Sequence, residues 1–201
     1  MISYADKLGI GETFPFDLPV RKSQMATDFS ILDSQKILAD TGFGQGQMLF
    51  TPLQLCSTFS MFGNTGTIMQ PYIVQSICQT DENGNLTEVK INEAKAFKEA
   101  FGSGVILQVR AILEKTATQG TGKSGVKGHT DTMRIAAKTG TAQTGTTSTG
   151  IVGWYAGLVI DGGEKDAVLV SCDEGDLKFA CVRYIFGLLK DGSEFTEENY
   201  G

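Results

Sequence analysis

The sequence predicts an α+β domain, an antiparallel sheet flanked by helices. Three observations carry this. The second half of the chain holds three apolar runs of strand length, residues 134–145, 151–160 and 166–171. The last two are joined by the tight connection "DGGEK", which makes them antiparallel neighbours. Before and after these runs, apolar residues recur at helical spacing.

The elements follow in chain order. "ISYADKLGIGE" reads as a helix broken at Gly9 and Gly11, with no capping residue before it, as though it begins in mid-element. "PFDLPV", with two prolines, predicts an irregular surface crossing. Residues 24–41 are weakly patterned and predict loop with a short helix. Thr51 and Pro52 form a helix start, Thr as N-cap and Pro at the first helical position. Leu55, Phe59 and Phe62 then mark a buried stripe that Gly63 stops. "PYIVQSICQT", "DENGN" and "LTEVKI" predict a hairpin turning at Asn83-Gly84. Ser103 is placed to cap a helix whose buried face carries Ile106, Val109 and Leu113 and which ends near Gly120. The loop "GTGKSGVKGHTDT" leads into the strand "RIAAKTGTAQTG". A last helix has Phe179, Val182, Phe186 and Leu189 on one face and stops at Gly192. No internal repeat interrupts the order.

Composition bounds the function. The chain has 201 residues, 41% hydrophobic and 20% charged, enough for one domain with a sizeable core. A net charge of -6 argues against a nucleic-acid partner. No apolar run is long enough to span a bilayer and no signal peptide opens the chain, so either the protein is cytosolic or a targeting segment lies elsewhere. Cys56, Cys78, Cys172 and Cys181 lack C-x-x-C spacing and have apolar neighbours, which predicts buried free thiols. The single histidine, His129, lies in a polar loop and is expected at the surface.

Three motifs compete for the chemistry. "GTGKSG" is similar to a phosphate loop, but Ala117 stands where the first glycine belongs, and the loop follows a helix instead of a strand. Nucleotide binding is therefore one alternative. "GFGQGQ" fails the dinucleotide fingerprint, because position 47 is Gln and no strand precedes it. The third is Lys138-Thr139-Gly140, on a strand, followed by "GWYAG" on the next. A lysine and two hydroxyls on an edge strand can bind a carboxylate without reading the rest of a ligand. Gly140 removes a side chain where an extended peptide could lie alongside.

"YADKLGIGETFPFDLP", "GQGQMLFTPLQL", "KTGTAQT" and "GWYAGLVI", in this order, resemble the penicillin-binding proteins of class B type, in their D,D-transpeptidase domain. The resemblance covers nearly the whole chain. It implies a β-lactamase/transpeptidase-like fold, with residues 1–201 as the C-terminal part of a single transpeptidase domain whose nucleophile-bearing part is absent. It implies cross-linking of peptidoglycan through a serine acyl-enzyme, inhibited by β-lactams, at the extracytoplasmic face of the bacterial membrane. By resemblance Lys138 orients proton-transfer hydroxyls and attracts the substrate carboxylate. Thr139 and Thr141 bind that carboxylate, the Thr141 N–H is an oxyanion donor, and Gln143 lines the far end. Trp154 is expected to pack beside the strand. The partners implied are stem peptides ending in D-Ala-D-Ala and β-lactams, with no metal and no cofactor.

The sequence departs from the family pattern in two motifs. It contains no Ser-x-Asn, and its only Ser-x-x-Lys, Ser124 to Lys127, lies in a glycine-rich loop just before the Lys-Thr-Gly strand and reads as chance. A non-catalytic module that binds D-Ala-D-Ala peptides or a partner is thus a further alternative. The edge of the 166–171 strand is expected to support self-association.

Overall fold

The computed structural model describes residues 1–128, 133–143, 150–160 and 167–174. The order is α1 (Ile2–Lys7), a 3-10 turn (Phe29–Asp33), α2 (Gln35–Gly42), α3 (Pro52–Ser60), β1 (Thr67–Gln70), β2 (Ser76–Thr80), β3 (Leu86–Ile91), β4 (Lys95–Glu99), α4 (Ser103–Thr118), a 3-10 turn (Lys123–Gly125), β5 (Ile135–Gln143), β6 (Ile151–Val159) and β7 (Ala167–Glu174). The architecture is α+β, as expected. Three antiparallel sheets carry the strands: β5-β6-β7, β1-β4 and β2-β3.

Two apolar clusters sit on opposite faces of the β5-β6-β7 sheet. One face contributes Ala136, Ala156 and Leu158, covered by Phe59 of α3 and Phe62 just after it, by Ile68 of β1 and by Ile106 and Leu113 of α4. The other contributes Ile135, Ala137, Tyr155 and Val159, covered by Ala117 and Val126. Full burial of side chains such as Ile106 or Leu158 contributes roughly 1.5–3 kcal/mol each. Leu55 and Val109, expected on the buried helix faces, are partly buried against the first cluster. Thr51 caps α3 as expected, its Oγ1 accepting from Gln54 N–H at 3.2 Å, with Pro52 at the helix start. Gln54 itself is fully buried and donates from Nε2 to the Gly9 carbonyl at 2.9 Å, so α3 pins the break that ends α1.

Several expectations need correction. Ser103 does not cap α4. Gly102 is the N-cap, and its carbonyl accepts the N–H groups of Val105 and Ile106. Residues 71–75 are not strand, because Asp17 Oδ2 takes the N–H groups of Ile73 and Val74 at 2.7 and 2.9 Å. The hairpin turn has three central residues, with Gly84 at φ +83 and Asp81 Oδ1 accepting from Asn83 and Asn85 N–H. Cys78 is exposed, since the two-stranded β2-β3 hairpin is covered on neither face there. Cys56 is only half-buried, though burial still raises its thiol pKa. The short strands β1 and β4 went unforeseen. His129, Cys181, the "DGGEK" connection and the helix expected at 179–189 lie outside the described residues, as does the side chain of Cys172. Among the described residues no helix is long and apolar enough to cross a membrane.

Candidate active site

β5 carries the Lys-Thr-Gly-Thr run, and among the described strands it pairs only with β6. Backbone parity decides which of its polar groups that pairing uses. Ile160 N–H donates to the Arg134 carbonyl at 2.7 Å, and the next pair along is Ile135 with Val159. In an antiparallel ladder, a residue's N–H and C=O point the same way, and the direction alternates along the strand. Ala136, Lys138, Gly140 and Ala142 therefore bond β6, while Thr139, Thr141 and Gln143 turn N–H and C=O to the outer edge. Two side-chain contacts agree. Lys138 Nζ donates to the Thr139 carbonyl at 2.5 Å, and Gln45 Nε2 donates to the Thr141 carbonyl at 3.0 Å.

Side chains alternate as well. Lys138 and Gly140 share a face with Ala136, and Thr139 and Thr141 share the opposite face with Ala137. The lysine nevertheless reaches the threonines' edge, because its flexible stem turns the ammonium onto the Thr139 carbonyl. The start of the strand is fixed by Arg134, whose Nε and Nη2 donate to Glu114 of α4 at 3.0 and 2.8 Å. Lys138, Thr141 and Gln143 are exposed, and Thr139 and Gly140 are half-buried. Gly140 faces Trp154 across the ladder, where an added Cβ would stand 3.3 Å from the tryptophan Cβ. Trp154 thus packs beside the strand as expected, but half-buried and outside the core.

Two residues that the sequence reading did not single out join this edge. Thr121 Oγ1 lies 2.7 Å from Thr139 Oγ1. The loop that carries Thr121 is held from below by Tyr155, fully buried, whose hydroxyl donates to the Gly122 carbonyl at 3.2 Å. Burial pushes that phenol's pKa far above its ordinary value. Glycine at 125 is required by the same ring, since a Cβ there would sit 2.6 Å from a ring carbon. The loop's N–H groups at Gly120, Gly122, Lys123, Gly125 and Val126 all bond carbonyls of α4 or of the loop itself. These five N–H groups are therefore not available to a phosphate. Ser124 is exposed on this loop's 3-10 turn.

Gln45 comes from "GFGQGQ". Its neighbours Gly44 and Gly46 have φ +84 and +75, a conformation that favours glycine, and they set up the tight turn that projects it. The turn is tied down by Gln45 N–H to the Asp40 carbonyl at 2.9 Å. Next to it, Gln47 Oε1 accepts from Thr27 N–H and Oγ1, and Gln24 pairs with Leu49. The signals for both residues were present in the sequence as glycine-rich motifs that matched no nucleotide site.

A family model described as "Penicillin binding protein transpeptidase domain" matches residues 1–181. "Penicillin-binding protein 3" of Bacillus subtilis (strain 168) is 31% identical over 135 residues, 67% of this chain and 18% of that protein. "Peptidoglycan D,D-transpeptidase PbpA" of Mycolicibacterium smegmatis is 29% identical over 166 residues, 82% of this chain and 32% of that protein. The structure of penicillin-binding protein A from M. tuberculosis, as an imipenem acyl-enzyme complex, superposes with TM-score 0.76 at 23% identity, over 95% of this chain and 41% of that one. The chain therefore spans a third or less of the length of these two relatives. On the matched span and these likenesses, the chain belongs to the penicillin-binding proteins of class B type, within their transpeptidase domain.

Proposed function

We propose that this chain is the ligand-binding wall of a peptidoglycan D,D-transpeptidase that works through a serine acyl-enzyme on peptides ending in D-Ala-D-Ala and is acylated by β-lactams. The observation that carries the reading is the outer edge of β5, where outward N–H groups, hydroxyls and one ammonium converge. Lys138 attracts the terminal carboxylate, and the hydroxyls of Thr139 and Thr141 bind it. The outward N–H of Thr141 donates to the oxyanion of the tetrahedral intermediate, a donor typically worth about 3 kcal/mol of transition-state stabilisation. Gln143, exposed at the end of β5, lines the far side of the peptide. The relative resolved as an imipenem acyl-enzyme supports β-lactam acylation in the site to which this wall belongs.

In this reading residues 1–201 are the C-terminal part of one transpeptidase domain. Because these residues hold no Ser-x-Asn, and no Ser-x-x-Lys apart from the loop at Ser124, the nucleophile and its base come from outside them. The domain works on the extracytoplasmic side of the membrane, where its peptidoglycan substrate is found.

The test is labelling of the full-length protein with a fluorescent penicillin, with Lys138→Ala alongside. Lys138 is exposed, so the variant should fold and acylate at least a hundredfold more slowly, given an electrostatic contribution of about 3 kcal/mol or more. Acylation at the parent rate would remove Lys138 from the site. A stoichiometric penicillin adduct on Ser124 of the 201-residue chain would overturn the placing of the nucleophile elsewhere.

A further inference from the structure

We propose that Gln45 is a displaceable cover on the peptide-pairing edge of β5: its carboxamide donates to the Thr141 carbonyl and yields that acceptor to the backbone N–H of an incoming extended peptide. The inference rests on the reading of β5 as a peptide-binding edge.

The outward carbonyls of β5 are the acceptors that a strand added alongside would use, because main-chain pairing across a sheet edge is the general way extended peptides bind there. Left bare, such an edge also recruits wrong partners. Both outward carbonyls with an assigned partner, Thr139 and Thr141, are covered by side chains of the chain itself. Lys138 reaches its acceptor from the adjacent residue. Gln45 reaches Thr141 across 96 positions of sequence, from a different part of the fold. Its backbone is held in place while its side chain is half-buried and, among the described residues, ends in a single neutral hydrogen bond. Rigid backbone with one weak terminal contact suits a group that swings aside without unfolding its loop.

A ligand that pairs with Thr141 must first break this bond. A neutral hydrogen bond of this kind is worth roughly threefold to tenfold in a binding constant. Gln45 therefore lowers the affinity of every peptide that takes the acceptor by about that factor.

The experiment titrates the 201-residue chain with an N-acetylated tripeptide ending in D-Ala-D-Ala. The readout is fluorescence of Trp154, the only tryptophan, which faces Gly140 on β5. Gln45→Ala and Gln45→Asn, the latter too short to reach the carbonyl, should each bind the peptide roughly threefold to tenfold more tightly. In the unsubstituted chain, the Gln45 side-chain amide resonances should move towards solvent values as the peptide saturates. Should both variants fold poorly, this resonance arm decides alone. Equal or weaker binding by the variants, or Gln45 resonances that stay put at saturation, overturns the cover. If binding still depends on Lys138, the peptide-binding reading survives that result. Absence of peptide binding in every variant, or binding that Lys138→Ala leaves unchanged, overturns the peptide-binding reading itself and the cover with it.

Discussion

At the scale of the residue, the chemistry of the site turns on which way one hydroxyl points. A threonine hydroxyl has one proton to give and two lone pairs to receive with. The pair Thr121–Thr139 shares a single proton along its 2.7 Å contact, so one of the two keeps a proton for something else. If Thr121 donates, Thr139 is left oriented to donate to a carboxylate at the edge of β5. Thr121→Val removes that constraint without touching the strand. It should weaken a peptide ending in a carboxylate by roughly threefold to tenfold, the worth of one neutral hydrogen bond, and leave the C-terminal amide of the same peptide unaffected. Thr121→Ser should restore the parent value. Calorimetric titration of both peptides reads this directly, and equal affinities for parent and Thr121→Val would make the hydroxyl pair incidental. The contrast with Lys138 shows what was legible at this scale. A lysine between small residues on a strand is conspicuous wherever the strand lies. Thr121 and Gln45 are ordinary loop residues until the fold lays their loops against β5, and that placement depends on contacts 18 and 96 positions apart.

At the scale of the element, local chemistry and long-range pairing divide the outcome. The starts and stops with a local cause came through: the Thr51-Pro52 start of α3, the glycine breaks after α1, and the strand lengths of β5 and β6. β1 and β4 did not, because each is only four or five residues long and is strand only by virtue of pairing with the other, with a register shift between Ile68 and Met69. The late start of β2 has the same character, since an aspartate 56 residues upstream takes the backbone that would have extended it. That aspartate makes a pH test possible. N–H groups of Val74 and Ile73 hold the Asp17 pKa below the usual carboxylate value, with Lys90 acting in the same direction. A depressed folded-state pKa contributes stability that is complete above the unfolded value of about 3.9 and is lost as pH falls through the folded value. Melting temperatures followed from pH 6 to pH 3 should therefore drop more steeply in the parent than in Asp17→Asn, and parallel curves would show that the anchor contributes nothing. The loop over Tyr155 offers a second, larger effect. Gly125→Ala drives a methyl into the ring and should cost roughly 1–3 kcal/mol by denaturant unfolding. A neutral result would mean that the loop simply lifts away.

At the scale of the whole molecule, the two outer strands of the main sheet face different fates. β5 is covered by Lys138 and Gln45 at two of its outward carbonyls, those of Thr139 and Thr141. Along β7 the backbone alternates in the same way. Odd-numbered residues of β6 point towards β7 and pair with Ala167, Leu169, Ser171 and Asp173, so Val168, Val170 and Cys172 turn their backbone outward. The Cys56 thiol lies 3.7 Å from the Val168 carbonyl and covers one of these positions. Val170 and Cys172 then present outward N–H groups on an eight-residue strand that pairs only with β6 among the described strands. Such an edge pairs with another chain unless something blocks it. We therefore expect the 201-residue chain to self-associate, with a light-scattering mass above the 21.5 kDa monomer that rises with concentration. Val170→Pro is the decisive variant. It removes an outward N–H while leaving every β6–β7 ladder bond in place, because Val170 donates none of them, and proline is tolerated on edge strands. The variant should be monomeric across the same concentrations. A folded Val170→Pro chain that associates as the parent does would move the interface elsewhere, with the exposed Ile77, Leu86, Val89 and Ile91 of the β2-β3 hairpin as the next surface to test. A parent chain that stays monomeric and melts at high temperature would instead show that the edge of β7 is already protected within these residues.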